Sequence, residues 1–257
     1  KKLDLKTFSF ESFDRTMVKE KLNASSSDIL LTASYGKLIP DWFLDFFTLD
    51  ALNIHPSLLP SWRGASPIQS AILNGDKITG ISIMRMTPNL DAGPVFLSEI
   101  VEIKKNDTSS SLTSKLSRIA ANTIKKSLEQ ILSGEIQALE QDHNQATFSK
   151  KISKDEGRID WSQTAESIDR MVRAYNPWPV AFTYLEEKYL RIWDTSLSSD
   201  HKDYKKPGEV IEQTDSGILV STGKGNLLIK EIQLAGKKTM SANHFSKGMD
   251  LKNKSFN

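Results

Sequence analysis

The sequence predicts an α/β domain built on a doubly wound sheet, followed by a small antiparallel β-barrel domain. Three observations carry this expectation. Short apolar runs of strand type alternate with helix-length segments through the first half of the chain. A long helical repeat then places Leu112, Leu116, Ile119, Ala120, Ile124, Leu128, Ile131 and Leu132 on one face and stops at Ser133-Gly134, where it would pack across the sheet and close the first unit. Beyond residue 180 the pattern changes to short strand-like runs separated by Gly or Asp turns, as in a small barrel.

Composition bounds the function. A chain of 257 residues, 38% hydrophobic and 26% charged, is long enough for two domains of an ordinary globular protein. No run reaches the length of a membrane span, and nothing in these residues resembles a secretory signal. The absence of cysteine excludes a disulfide framework, a thiol nucleophile and a thiolate metal site, and it points to a reducing cytoplasm. Four scattered histidines make no zinc pattern. A formal charge of +2 is too small to announce nucleic acid, so any RNA contact must come from local patches.

Each element has its own signal. The chain begins at Lys1 with polar, helix-like sequence over residues 11–23, and the first convincing strand is 28–34, followed by a turn at 35–40 into a helix over 41–47. Ala51-Leu52-Asn53-Ile54-His55 is a buried strand stopped by Pro56. A proline-bounded loop leads to a helix over 67–75, with Pro near its first turn and Gly at its end. Residues 79–86 alternate as a strand and 94–103 form a further extended segment. Residues 135–160 turn polar and charged without periodicity, as a domain linker does. An amphipathic helix over 164–175 ends at Asn176-Pro177-Trp178-Pro179, and strands are expected at 181–185, 189–193, 208–213, 218–221 and 227–234. Trp178 and Trp193 could stack on bases but are expected first as buried barrel aromatics, and His143, His201 and His244 as surface residues.

One cluster carries chemistry. Strand alternation puts Asn53 and His55 on the same face, at a strand end where open α/β sheets present ligand crevices. An amide able to donate to a developing oxyanion, beside an imidazole able to shuttle a proton, suits acyl transfer. Asp91, in the turn Leu90-Asp91-Ala92-Gly93, is the nearest carboxylate that could orient the imidazole. Asn-x-His at a strand end also occurs as a purely structural pair, and a lone Asp before Ala-Gly is commonly a turn former.

The runs Asn53-Ile54-His55-Pro56-Ser57-Leu58-Leu59-Pro60, Trp62-Arg63-Gly64-Ala65-Ser66-Pro67-Ile68-Gln69 and Leu90-Asp91-Ala92-Gly93 resemble the signature of the folate-dependent formyltransferases. The segments ATFSKKISKDEGRIDW and LAGKKTMSA resemble the branch that acts on methionyl-tRNA. The resemblance implies a Rossmann-like formyltransferase domain in 1–134, a basic linker in 135–160 and an OB-like barrel in 161–257. It also implies further strands before the first one found here, hence an N-terminally truncated chain. The implied reaction moves the formyl group of 10-formyltetrahydrofolate, without a metal, to the amine of initiator methionyl-tRNA, in a cytoplasmic monomer. Asn53, His55 and Asp91 would be catalytic. Ser57, Leu58, Leu59 and Pro60 would line the folate site, with Arg63 and Gly64 continuing that wall, or Arg63 making a structural ion pair instead. Lys150, Lys151, Lys154 and Arg158 would contact tRNA or form a solvated surface. The locally basic segment from Ser221 onward could hold an RNA backbone. A sugar-amine N-formyltransferase and a non-catalytic RNA-binding fragment are the alternatives.

Overall fold

A computed structural model describes residues 14–23, 27–36, 39–199, 206–251 and 254–257. His201 therefore lies outside the described residues, as does the start of the helix expected over 11–23. The described part of that helix is α1 (Arg15–Asn23), followed by β1 (Ile29–Ala33), α2 (Asp41–Leu44) and β2 (Asp50–His55). Helix α2 is shorter than the apolar run suggests; Phe43 and Phe47 instead turn into a small aromatic cluster under Val18. Next come β3 (Arg63–Gly64), α3 (Pro67–Asn74), β4 (Ile78–Arg85), β5 (Val95–Glu102) and α4 (Ser109–Leu132). Helix α4 opens with a reciprocal capping box between Thr108 and Ser111, which satisfies two backbone donors at its start. Its buried Leu112 and Leu116 pack with Ile72, Ile81 and Ile83 in the core of the first domain.

The first sheet has the order β1-β2-β4-β5. Strands β1 and β2 are parallel, but β4 runs antiparallel to β2 and β5 antiparallel to β4, so the described sheet is mixed. The chain leaves β2 at His55 and re-enters the sheet at that same end after α3, so that Ser82 pairs with His55 and Met84 with Asn53. The loop after β4 then folds back toward β2.

The stretch read as a linker is fixed to the first domain for most of its length. Leu139 exchanges backbone hydrogen bonds with Val95 at 2.8 and 2.9 Å, and β6 (Phe148–Ser149) pairs in parallel with β3. Ile152 enters the first core and Ile159 the second.

The second domain begins with α5 (Ala165–Ala174), whose strong amphipathicity serves two cores at once: Ile168 and Val172 face the second, Ala174 the first. Strands β7 (Ala181–Leu185), β8 (Lys188–Leu197), β9 (Val210–Thr214), β10 (Gly217–Ser221) and β11 (Asn226–Leu234) form an antiparallel sheet of order β7-β8-β11-β10-β9. A short β12 (Met240–Ser241) joins β11 and leads into α6 (Ala242–Lys247). Among the described residues no pairing joins β7 directly to β9. Residues 254–257 lie in that gap, bonded to Tyr184 on one side and to Gly208 and Val210 on the other. Trp178 is 48% exposed, contrary to the expectation that it would be buried, because the chain at 177–179 rounds a surface corner after α5. Trp193 is half-buried with its indole N–H donating to Gln233.

Candidate active site

The site forms where β1, β2 and the loop after β4 meet. Asn53 is half-buried on β2, and its Oδ1 accepts a hydrogen bond of 2.9 Å from the Thr32 hydroxyl on neighbouring β1. With Oδ1 occupied, the Nδ2 donors of Asn53 are what the amide can present elsewhere. Thr32 and Asn53 line an open cleft with Tyr35 and Ile39, the β4 end (Met84, Met86) and the loop residues Thr87 to Asp91. The cleft is apolar along Ile39, Leu44, Met84 and Leu90 and polar at Asn53 and Asp91, a composition suited to a flat, largely apolar group carrying one reacting polar end.

His55 follows two residues later on the same face and is only 4% exposed. Its Nε2 lies 3.0 Å from the carbonyl oxygen of Trp62. A carbonyl only accepts, so this nitrogen carries the hydrogen and the other ring nitrogen is a lone pair in the neutral ring. That nitrogen, Nδ1, faces Asp91 Oδ2 at 3.6 Å, with both groups acceptors unless a proton sits between them. Burial pushes His55 below its ordinary value of 6.5, against the Asp91 carboxylate and the Trp62 carbonyl, which favour the charged form. Asp91 is held in turn by the backbone N–H of Gly64, 2.8 Å from Oδ2. Its φ of 47° is unusual for a residue with a side chain.

The structure thus brings Asn53, His55 and Asp91 together, with Asp91 between the cleft and the imidazole. Ser57, Leu58, Leu59 and Pro60 do not line that cleft. Ser57 is fully buried and donates to the Ser61 carbonyl, while Ser82 donates to the Ser57 carbonyl at 2.8 Å and receives Leu59 N–H at 3.1 Å. This loop is stitched onto β4. Arg63 is 5% exposed, and its guanidinium donates to Gln141 at 2.7 and 3.1 Å and meets His143 Nδ1 at 2.9 Å; among the described residues no carboxylate pairs with it, and it is not among the residues lining the cleft. Exposed His143 therefore has a structural contact. Lys150, Lys151, Lys154 and Arg158 are all exposed, and Arg158 stands over the Tyr184 ring at 5.8 Å. Gly64, expected to continue the folate wall, meets Asp91 through its backbone N–H, while Thr32, Trp62 and Gln141 carry no expectation from sequence as part of the site. Thr32 sits in a strand whose sequence reads only as apolar, and the others act through backbone or long-range contacts that no local pattern signals.

Comparison with known proteins gives the family and the fold. The formyl transferase family model matches residues 3–128, and the model of the formyl transferase C-terminal domain matches residues 151–250. The methionyl-tRNA formyltransferase of Coxiella burnetii (strain RSA 493 / Nine Mile phase I) is 42% identical over 227 residues, covering 88% of this chain and 72% of the relative. The chain belongs to the methionyl-tRNA formyltransferase family. A second member, from Hydrogenovibrio crunogenus, is 37% identical over 96% of the chain and 79% of its own length. Among solved structures, the methionyl-tRNA formyltransferase from Clostridium thermocellum superposes with a TM-score of 0.60 at 20% identity, covering 84% of this chain and 81% of that one. HypX from Aquifex aeolicus in complex with tetrahydrofolic acid gives 0.69 at 19% identity over 91% of this chain and 41% of that one. At these identities the superpositions establish the fold: a Rossmann-like formyltransferase domain followed by a C-terminal domain.

Proposed function

We propose that the protein transfers the formyl group of 10-formyltetrahydrofolate to the α-amine of methionyl initiator tRNA. The observation that carries this reading is the Asn53, His55, Asp91 cluster at one cleft, in a chain whose relatives are methionyl-tRNA formyltransferases. The amine attacks the formyl carbon, a C–N bond forms, and the carbonyl oxygen becomes an oxyanion that Asn53 Nδ2 can meet as a donor. Asp91, exposed to the cleft, takes the amine proton and shares it with His55 Nδ1 at 3.6 Å. The same proton returns to N10 as the C–N10 bond breaks. The neutral imidazole favoured by burial suits a group that must accept a proton before giving it back.

The folate is assigned to the cleft beside Tyr35, Ile39 and Met86, with the Ser57, Leu58, Leu59, Pro60 loop acting as its supporting wall through β4. The second domain is read as an OB-like barrel whose seam is residues 254–257, since these bond to both edges of its sheet. Exposed Lys150, Lys151, Lys154 and Arg158 are assigned to the tRNA backbone, with Arg158 next to the Phe182, Tyr184, Tyr189 ring cluster. The protein is assigned to the cytoplasm as a monomer, the first of these resting on its lack of cysteine. Sugar N-formyltransferases share the fold at about one-fifth identity, below the relatives that act on methionyl-tRNA.

The test is formyl transfer from 10-formyltetrahydrofolate to charged initiator tRNA, with dTDP-amino sugars as competing acceptors. Formylmethionyl-tRNA as the product supports the reading; formyl sugar alone, or tRNA binding without transfer, moves the function to one of the alternatives.

A further inference from the structure

We infer that Gln141, which lies in the stretch joining the two domains, is a positioning residue for Asp91. The inference rests on the formyl-transfer reading above. Gln141 is 8% exposed, and its amide is satisfied on every side. Nε2 donates to the carbonyls of Asp91 at 3.0 Å and Gly93 at 2.6 Å, while Oε1 accepts from Arg63 Nε at 3.1 Å and Nη2 at 2.7 Å. An amide offers two N–H donors and one oxygen with two lone pairs, and here all four are used. Turned over, it would put oxygen against two carbonyls and NH2 against a guanidinium, so only one orientation is tolerated.

What Gln141 grips needs holding. Asp91 adopts φ of 47°, which a non-glycine residue keeps only when its surroundings enforce it. The carboxylate is fixed by Gly64 N–H and the Asp91 carbonyl by Gln141, so side chain and backbone are anchored separately. Both anchors belong to one substructure. Trp62 N–H donates to Thr147 Oγ1 at 2.8 Å, Arg63 N–H to the Thr147 carbonyl at 2.9 Å, and Ser66 N–H to Ser149 Oγ at 3.1 Å. Residues 141–149 and 62–66 thus clamp the Asp91 turn between them, and a segment that reads as a mere connection supplies part of the reaction's proton-handling geometry.

The test uses the full chain as wild type, Gln141→Ala, Gln141→Glu, Asp91→Asn and the Gln141→Ala/Asp91→Asn double variant. Gln141→Glu keeps the size and the acceptor for Arg63 but loses both donors to the loop. Expected is a fall in kcat of about 10- to 100-fold for Gln141→Ala and Gln141→Glu alike. Gln141→Ala should lower the residual activity of Asp91→Asn by less than about twofold, because its effect passes through Asp91. Wild-type kcat in Gln141→Glu, or a full additional loss in the double variant, would overturn the inference. Should Gln141→Ala not fold, the isosteric Gln141→Glu takes its place in the double-variant comparison. If the wild type transfers no formyl group, the reading of function fails, but the positioning role is still measured by the NMR titration of His55. Gln141→Glu should then move that titration in the direction seen for Asp91→Asn, and an unmoved curve sinks the inference.

Discussion

The hydroxyl of Thr32 donates to Asn53 Oδ1 across the β1–β2 pair at 2.9 Å, and Thr32 Oγ1 also lies 3.2 Å from the Leu52 carbonyl oxygen. This fixes which end of the Asn53 amide is spoken for. Replacing Thr32 by Val keeps the shape and removes the hydroxyl, leaving the amide able to turn its oxygen toward the developing oxyanion. Thr32→Val should lower kcat/KM about 3- to 10-fold, the effect of one ordinary hydrogen bond. Asn53→Ala should lose about 100- to 1,000-fold, as other oxyanion donors do. Adding Thr32→Val to Asn53→Ala should then change little. Steady-state formyl transfer by the three variants checks all of this.

The His55 shift has a sign that can be measured. Because burial holds its folded-state pKa below the unfolded 6.5, the unfolded chain binds more protons as pH falls past that value. The stability associated with His55 is therefore fully present above about pH 6.5 and is lost as pH falls from there toward the folded value. Thermal unfolding across pH 5 to 8 (about that span) should show a steeper acid-side loss in wild type than in His55→Asn. In activity, Asp91→Asn removes a group that raises the His55 pKa, so any remaining acid limb should move to lower pH.

Gly64 shows how little room the clamp leaves. Its φ is 112°, and a Cβ there would collide with the Ser149 carbonyl oxygen on β6. Gly64→Ala must part β3 from β6 or twist the N–H away from Asp91. The expected result is a stability loss of about 1–3 kcal/mol with turnover reduced well beyond that fraction. Leu112→Ala, deep in the core and away from the cleft, should cost about 2–5 kcal/mol while leaving turnover near wild type below its melting transition. Comparing Tm with kcat for the two variants separates a site defect from a packing defect.

The exposed Lys150 and Lys151 lie next to β6 and before the second domain. If both meet phosphates, changing both to Ala should raise the KM for tRNA and reduce the slope of log affinity against log salt by about 1.4–1.8. The KM for the formyl donor should stay put. A tRNA-binding titration at several salt concentrations reads the slope, and an unchanged slope removes these lysines from the interface.

The elements were legible where the local code is strong. Helix α4 follows its apolar repeat from the Thr108 cap to Leu132, and β7 spans the alternating run Ala181–Leu185 as expected. The grouping of Asn53 with His55, two of the three residues proposed to act on substrate, was legible because they share a strand face by alternation alone. Strand direction was not: nothing local distinguishes a parallel from an antiparallel β4, since its residues are buried on both faces either way. The full burial of Ser57 against β4 was not legible, because it depends on a hydrogen bond to Ser82, 25 residues away. Gln141 was invisible in a polar stretch, as its importance lies in meeting residues 48 to 78 positions away.

The pairing of β6 with β3 bears on how such chains can be recombined. A boundary drawn after α4, where the helical repeat stops, would separate Arg63 and Gly64 from their partners at Gln141 and Ser149. A hybrid spliced there would join two intact-looking modules yet inherit the active-site turn from one parent and its brace from the other. A junction placed beyond Ser149 keeps turn and brace in the same lineage, so the heritable unit of catalysis in this chain extends past the helix that closes its first core.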